Sequence, residues 1–177
     1  MSRLAAKPIV LEDKITVEVL GESVRVKGPK GELMVPCQDQ VEVRVEEKKV
    51  FVTCEDPSKK AFLGLTWALI RNAVMGVGSG FSKKLEVVGK GWRSTVKGNV
   101  IDLQVGYSHP VQFELPEGVT AVQENPGTFV LHSHDKQLLG QTAANIKSIR
   151  PVEPYKLKGI RITGQPLRQK VRKTAGK

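Results

Sequence analysis

Short runs of alternating apolar and polar residues open the chain. Ile15, Val17 and Val19 enclose Thr16 and Glu18; Val24 and Val26 alternate with Arg25 and Lys27; Val41, Val43 and Val45 alternate with Glu42, Arg44 and Glu46. Successive side chains of a strand point to opposite faces, so this period predicts short strands with one wet face. Gly28-Pro29-Lys30-Gly31 sits between two of them and supplies the turn chemistry of a hairpin, which predicts an antiparallel meander. After a further strand over Val50–Cys54, Asp56 can cap a helix and Pro57 suits its first position. Phe62, Leu65 and Leu69 then recur at helical spacing, and the helix is expected to run to about Gly76.

The second half repeats this order. Leu85 and Val87, Thr95–Lys97, Val100–Val105, Val111–Leu115, Val119–Val122 and Thr128–His132 read as strands, with turns at Gly98-Asn99 and Pro116-Glu117-Gly118. A second helix is expected from near Asp135, with Leu139, Ala143 and Ile146 on one face. Side by side, Phe51-Val52 matches Phe129-Val130, Leu63-Gly64-Leu65-Thr66 matches Leu139-Gly140-Gln141-Thr142, and Ala68 and Ile70 match Ala144 and Ile146, a duplication with a period near 76 residues. A helix laid across a small sheet closes its own core, so the fold class expected is α+β: two tandem duplicated small domains, each an antiparallel or mixed sheet on one main helix. The first repeat is expected over 1–80, the second over 81–164, and a basic carboxy-terminal extension over 165–177. The glycine-rich run Gly76-Val77-Gly78-Ser79-Gly80 marks the boundary. It is not read as a dinucleotide loop, because it follows a helix rather than a strand and has Phe81 where the third glycine belongs.

Charge changes the picture. The formal net charge is +10, and 147–177 alone hold ten cations (Lys147, Arg150, Lys156, Lys158, Arg161, Arg168, Lys170, Arg172, Lys173, Lys177) against one acid, Glu153. Such a concentration costs self-repulsion and does not build a core, which points to a polyanion partner. Pro151, Pro154 and Pro166 with Gly159 and Gly164 break any continuous basic helix that could lie on a membrane. An ordered loop followed by an arm is expected instead. Tyr155 offers a stacking face, Lys156, Lys158 and Arg161 flank it with cations, and Gly159 permits close approach of backbone. A weaker basic group, Lys83, Lys84, Lys90, Arg93 and Lys97, is interleaved with Gly89, Gly91 and Trp92. Aromatics are 5% of the residues, with no base-stacking strand motif, so shape and phosphate recognition of a folded A-form RNA fits better than sequence-specific reading of single strands.

Other chemistries are not supported. Cys37 and Cys54 have neither C-x-x-C spacing nor a histidine cluster and read as ordinary thiols. His132 and His134 would share a strand face but lack further metal ligands; His109, in Gly106-Tyr107-Ser108-His109-Pro110, sits in an expected turn where it can donate to a phosphate, beside Ser108. No nucleophile elbow, phosphate-binding loop or zinc-protease motif occurs, so no enzyme activity, cofactor or metal is expected. The apolar run Leu63–Val77 is interrupted by Arg71 and Asn72 and no signal-peptide pattern opens the chain, so an intracellular protein with no transmembrane helix is expected.

Several motifs together resemble a known family. Val26-Lys27-Gly28-Pro29-Lys30-Gly31-Glu32-Leu33, Lys97-Gly98-Asn99, Gly106-Tyr107-Ser108-His109-Pro110-Val111, Asp135-Lys136-Gln137 with Gly140-Gln141, and Glu153-Pro154-Tyr155-Lys156 with Lys158-Gly159-Ile160-Arg161 are similar to those of large-subunit ribosomal protein L-six of the bacterial type. The resemblance implies a cytoplasmic, non-enzymatic constituent of the large ribosomal subunit whose second domain and tail bind rRNA near the sarcin–ricin and factor-binding region. Its implied partners are large-subunit rRNA and neighbouring ribosomal proteins, as a monomer in the ribosome, with no membrane and no small-molecule substrate. The stronger rRNA-binding candidates are Arg150, Tyr155, Lys156, Lys158, Gly159, Arg161, Arg168, Lys170, Arg172 and Lys173; the weaker are Lys83, Lys84, Lys90, Arg93, Lys97, Ser108 and His109. Where the family usually reads Pro-Glu-Pro-Tyr-Lys-Gly-Lys-Gly-Ile-Arg-Tyr, this chain has Val152, Leu157 and Ile162 at the first Pro, first Gly and final Tyr. If that glycine serves a positive φ, Leu157 is strained there. The alternatives are a basic RNA- or protein-binding adaptor outside the ribosome, and a small hydrolase using the histidines.

Overall fold

A computed structural model describes residues 7–37, 41–54 and 60–171. The elements run β1 (Ile9–Val10), β2 (Thr16–Leu20), β3 (Ser23–Gly28), β4 (Gly31–Pro36), β5 (Val41–Glu46), β6 (Lys49–Cys54), α1 (Lys60–Gly78), β7 (Phe81–Val88), β8 (Arg93–Lys97), β9 (Val100–Gln104), β10 (Val111–Glu114), β11 (Val119–Asn125), β12 (Thr128–Ser133), α2 (Lys136–Ile149) and β13 (Gly159–Ile162). They divide into two compact units. One runs to Phe81 and includes His134–Lys136; the other comprises Ser82–Ser133 and the chain from Gln137 on.

In the first unit β2-β3-β4 and β1-β6-β5 form two three-stranded sheets. The hairpin around Pro29-Lys30 closes with Gly28 opposite Gly31, and places Val24 opposite Val35 and Val26 opposite Leu33. Val24 and Val26 are fully buried, as the alternation predicts, and meet Val50, Val52 and the inner face of α1. That inner face is Trp67, Ile70, Ala73, Val74 and Val77. Phe62 and Leu65, which carry part of the helical spacing in the sequence, are instead exposed. The helix continues past the expected end at Gly76 to Gly78, and its last carbonyls are used: Val77 accepts from the Lys30 amide at 3.0 Å. By length and hydropathy α1 could cross a bilayer, yet its buried face closes this core. The helix cap expected at Asp56-Pro57 lies outside the described residues.

The second unit holds a three-stranded sheet, β10-β9-β8, and a four-stranded sheet, β11-β12-β7-β13. Its buried side chains include Leu85 and Val87 of β7, Ile101 and Leu103 of β9, Phe129 and Leu131 of β12, Ile160 of β13, and Leu139, Ala143 and Ile146 of α2. The face expected for α2 is thus the buried one. Asp135 precedes its first residue, where a carboxylate suits a cap, and Lys147 lies in its last turn, where a cation opposes the helix dipole.

The α+β class and the tandem repeat are as expected. The repeat is not rigid in register, however. Thr66 and Thr142 are both buried, and so are Ile70 and Ile146, so the helices superpose in sequence with an offset of 76 residues. In the strands before them, Phe129 is fully buried while Phe51 is half-buried and Val52 points inward. The inward pairs are therefore Val50 and Val52 against Phe129 and Leu131, an offset of 79. The five residues between β6 and α1 against the two between β12 and α2 account for the difference.

Candidate nucleic-acid interface

The basic loop leaves the end of α2. The last helical residue, Ile149, leaves its carbonyl free of any helical partner, and the hydroxyl of Tyr107 donates to it at 2.8 Å. The next residue, Arg150, places its guanidinium 5.1 Å from the Tyr107 ring centroid and 5.6 Å from that of Trp92. Both distances are within reach of a cation–π attraction. Trp92 packs so closely on the backbone of Gly89 that a Cβ there would lie 2.3 Å from the indole. The glycine between the basic residues thus seats a tryptophan.

From Arg150 the chain makes a loop closed by its own backbone. The Glu153 amide donates to the Lys158 carbonyl at 2.8 Å, and the Leu157 amide to the Glu153 carbonyl at 2.9 Å. Leu157 has φ of 57°, the left-handed conformation, so a branched side chain stands at a glycine-favouring position. Gly159 has φ of 151°, and a Cβ on it would lie 2.5 Å from the Cα of Val152. The ordered loop expected from the sequence ends before Arg161, because the chain turns into a strand at Gly159. Gly159–Ile162 form strand β13, antiparallel to β7 with Ile160 opposite Val87 and Arg161 opposite Glu86. Apolar Ile160 turned into the core anchors the segment, and β13 stands at the edge of the four-stranded sheet because it pairs with β7 alone.

The chain beyond the strand returns to the loop. The Lys170 amide donates to the Pro154 carbonyl at 2.9 Å, the Gln169 side chain to the Tyr155 carbonyl at 3.0 Å, and Lys147 to the Gln165 side chain at 3.3 Å. The loop and the following segment therefore form one surface. Tyr155, Lys156, Arg168 and Lys170 are exposed on it, and Lys158 is half-buried. Arg172 and Lys173 lie outside the described residues.

Pairing separates the cations into two sets. Arg161 donates from Nε to Glu86 at 2.9 Å, and Thr163 donates to the other Glu86 oxygen at 2.8 Å. These bonds, that of Thr163 first and that of Arg161 next, hold the Glu86 carboxyl below its ordinary pKa. Lys84 pairs with Glu124, and Lys97 with Asp102 at 2.8 Å. Arg161, Lys84 and Lys97 thus have their charge balanced inside the unit. Lys156, Lys158, Arg168, Lys170, Lys90 and Arg93 have no ion-pair partner among the described residues. Lys83 is half-buried near Gly140. Ser108 and His109 are exposed next to each other beyond Tyr107, with Ser108 Oγ 3.4 Å from His109 Nδ1. His132 lies on β12 and His134 beyond its end, and no group of three metal-binding side chains occurs among the described residues.

The sequence profile of the family described as Ribosomal protein L6 matches residues 13–80 and 88–162, one segment in each repeat. The chain belongs to the ribosomal protein L6 family. Curated relatives named large ribosomal subunit protein uL6 match it along its length. That of Rubrobacter xylanophilus is 46% identical over 98% of this chain and 99% of its own. That of Thermodesulfovibrio yellowstonii is 47% identical over the whole of both chains. That of Thermotoga petrophila is 43% identical over 99% of this chain and 100% of its own. Membership of the L6 family makes the chain a structural, non-enzymatic ribosomal protein.

Trp92, Tyr107 and Glu153 line a cleft with Arg150 and Lys158, yet are not among the binding candidates that the sequence offers. Each carried a signal: Trp92 and Tyr107 stand beside glycines, and Glu153 is the lone acid of the basic end.

Proposed function

We propose that the second unit is the rRNA-binding part of the protein, and that it serves the large subunit by neutralising packed phosphates near the sarcin–ricin and factor-binding region. The observation that carries this is the set of cations with no ion-pair partner among the described residues, Lys156, Lys158, Arg168 and Lys170, gathered by the loop's hydrogen bonds onto one loop-and-return surface. Charge held on a folded frame fits a folded RNA, because its cations do not have to be ordered at the moment of binding. Arg150, Tyr155 and Gly159 shape that surface, Lys90, Arg93, Ser108 and His109 supply a flank, and Arg172 and Lys173, outside the described residues, belong to the binding set by their charge and place in the sequence. Arg161, Lys84 and Lys97 serve chiefly to hold the fold. The segmentation into repeats 1–80 and 81–164 and a basic extension from 165 belongs to the same reading, as do a cytoplasmic location and contacts with neighbouring ribosomal proteins.

About 5–8 phosphate contacts would give a log–log salt slope of order −4 to −7. The test is binding of purified protein to large-subunit rRNA fragments across a salt series. A Lys156→Ala/Lys158→Ala variant should bind more weakly with a slope flatter by about 1–2. Unchanged affinity and slope would remove these residues from the interface.

A further inference from the structure

Beside the phosphate-facing cations is a shallow cleft of about 260 Å³ lined by Trp92, Tyr107, Arg150, Pro151, Glu153 and Lys158. Its composition is unlike that of the surrounding surface. Two aromatic rings and a guanidinium plane line it, and so does the one carboxylate that the sequence keeps among ten cations. Tyr107 is 45% exposed, so part of its ring is open to a ligand. The Arg150 guanidinium is held against both rings and offers a flat stacking surface with N–H groups on its edge. The backbone of Glu153 is fixed, because its amide and carbonyl are both bonded across the loop to Lys158 and Leu157, and its exposed side chain reaches the cleft from there.

We propose that this cleft takes one unpaired guanosine nucleotide of the bound RNA. The inference rests on the rRNA reading above and specifies what that RNA must present. A carboxylate repels phosphate and only accepts hydrogen bonds, so whatever faces Glu153 in a phosphate-binding surface must be a donor. Guanine offers two adjacent donors, N1–H and the N2 amino group, which match the two carboxylate oxygens. Uracil has a single N–H between two carbonyl oxygens that the carboxylate would repel. Adenine and cytosine place a ring acceptor next to their amino group. Only a base outside a helix exposes that edge, and such bases are bound by stacking on aromatic rings and arginine planes. Tyr107 and Arg150 supply the stacking surface, Glu153 reads the edge, and Lys158 meets the flanking phosphate.

Kethoxal modifies the N1 and N2 positions of unpaired guanines and so reports on this edge. Large-subunit rRNA is probed with and without the full-length protein, wild type and Glu153→Gln, alongside hydroxyl-radical footprinting of the backbone. The backbone bonds of Glu153 persist in the glutamine variant, whose fold is checked by circular dichroism. The proposal expects one guanine protected by the wild-type protein that regains reactivity with Glu153→Gln. The backbone footprint should stay in place, with affinity reduced about 10- to 100-fold, as for loss of a bidentate base contact. A backbone footprint with no guanine edge protected, or a protected guanine indifferent to Glu153→Gln, overturns it. No footprint from the wild-type protein would overturn the rRNA reading instead.

Discussion

The guanidinium of Arg150 lies 5.1 Å from the centroid of the Tyr107 ring, and the hydroxyl of that same ring donates to the carbonyl of Ile149, the residue before the arginine. One tyrosine thus ends a helix and aims a cation. Tyr107→Phe keeps the ring and loses the hydrogen bond, and should lower stability to urea by about 1 kcal/mol while leaving RNA affinity close to wild type. Tyr107→Ala removes both, and should weaken RNA binding as well as stability in the same two assays.

Leu157 supplies a second test, because a side chain in the left-handed region is strained whatever it packs against. Comparing Leu157→Gly with Leu157→Ala removes the packing in both and the strain in only one. The glycine variant should be the more stable by about 1 kcal/mol in equilibrium unfolding, reversing the order found in ordinary backbone conformations. An alanine variant equal to or above glycine would show that the loop relieves the strain locally.

At Gly159 both conformation and space exclude a side chain, and the atoms in the way are the backbone of Val152 and Pro151. Gly159→Ala is expected to cost more than about 2 kcal/mol, since backbone strain and overpacking act together. Loss of β13 pairing should appear as faster amide exchange at Thr163, which donates to the Lys84 carbonyl of β7 at 2.9 Å, and at Arg161, its neighbour two residues back on the same side of the ladder.

The pairing of Glu86 with Thr163 and Arg161 predicts a pH dependence. A carboxyl whose folded pKa is depressed contributes stability that is present above its unfolded value and lost as pH falls through the folded one. Glu86 therefore stabilises fully above its ordinary value of 4.5 and progressively less below it. Glu86→Gln should lower stability at pH 7 and flatten the loss of stability on acidification below about pH 4.5. Parallel curves for the two proteins would mean that the bonds at Glu86 carry no net weight.

Arg161 and Lys156 should separate in their effects, although they stand in one motif. Arg161→Ala leaves Glu86 without its cation and should appear first in thermal unfolding. Lys156→Ala touches an exposed, unpaired cation and should appear in RNA affinity with stability changed by less than about 0.5 kcal/mol. Equal loss of stability in the two would contradict the division of the cations into paired and unpaired sets.

Much of this protein is written locally, and that part the sequence by itself determined. Period-2 runs such as Val24 and Val26, the helical face Leu139, Ala143 and Ile146, the repeat of Leu63–Thr66 at Leu139–Thr142, and the charge of the carboxy-terminal end all follow from neighbours along the chain. They suffice for the α+β class, the duplication and the end of the chain where positive charge gathers. Tertiary structure decided the rest, because it depends on residues far apart in sequence. Arg161 is paired only because β13 lies along β7 and brings Glu86, 75 residues away, to 2.9 Å. Leu157 is left-handed because the loop closes between Glu153 and Lys158, and Phe51 misses the core that Phe129 enters because the connections to the helices differ in length. Charge can be counted in a sequence, but whether it is spent inside the fold or left for a partner is fixed by which acid the folded chain places beside each cation.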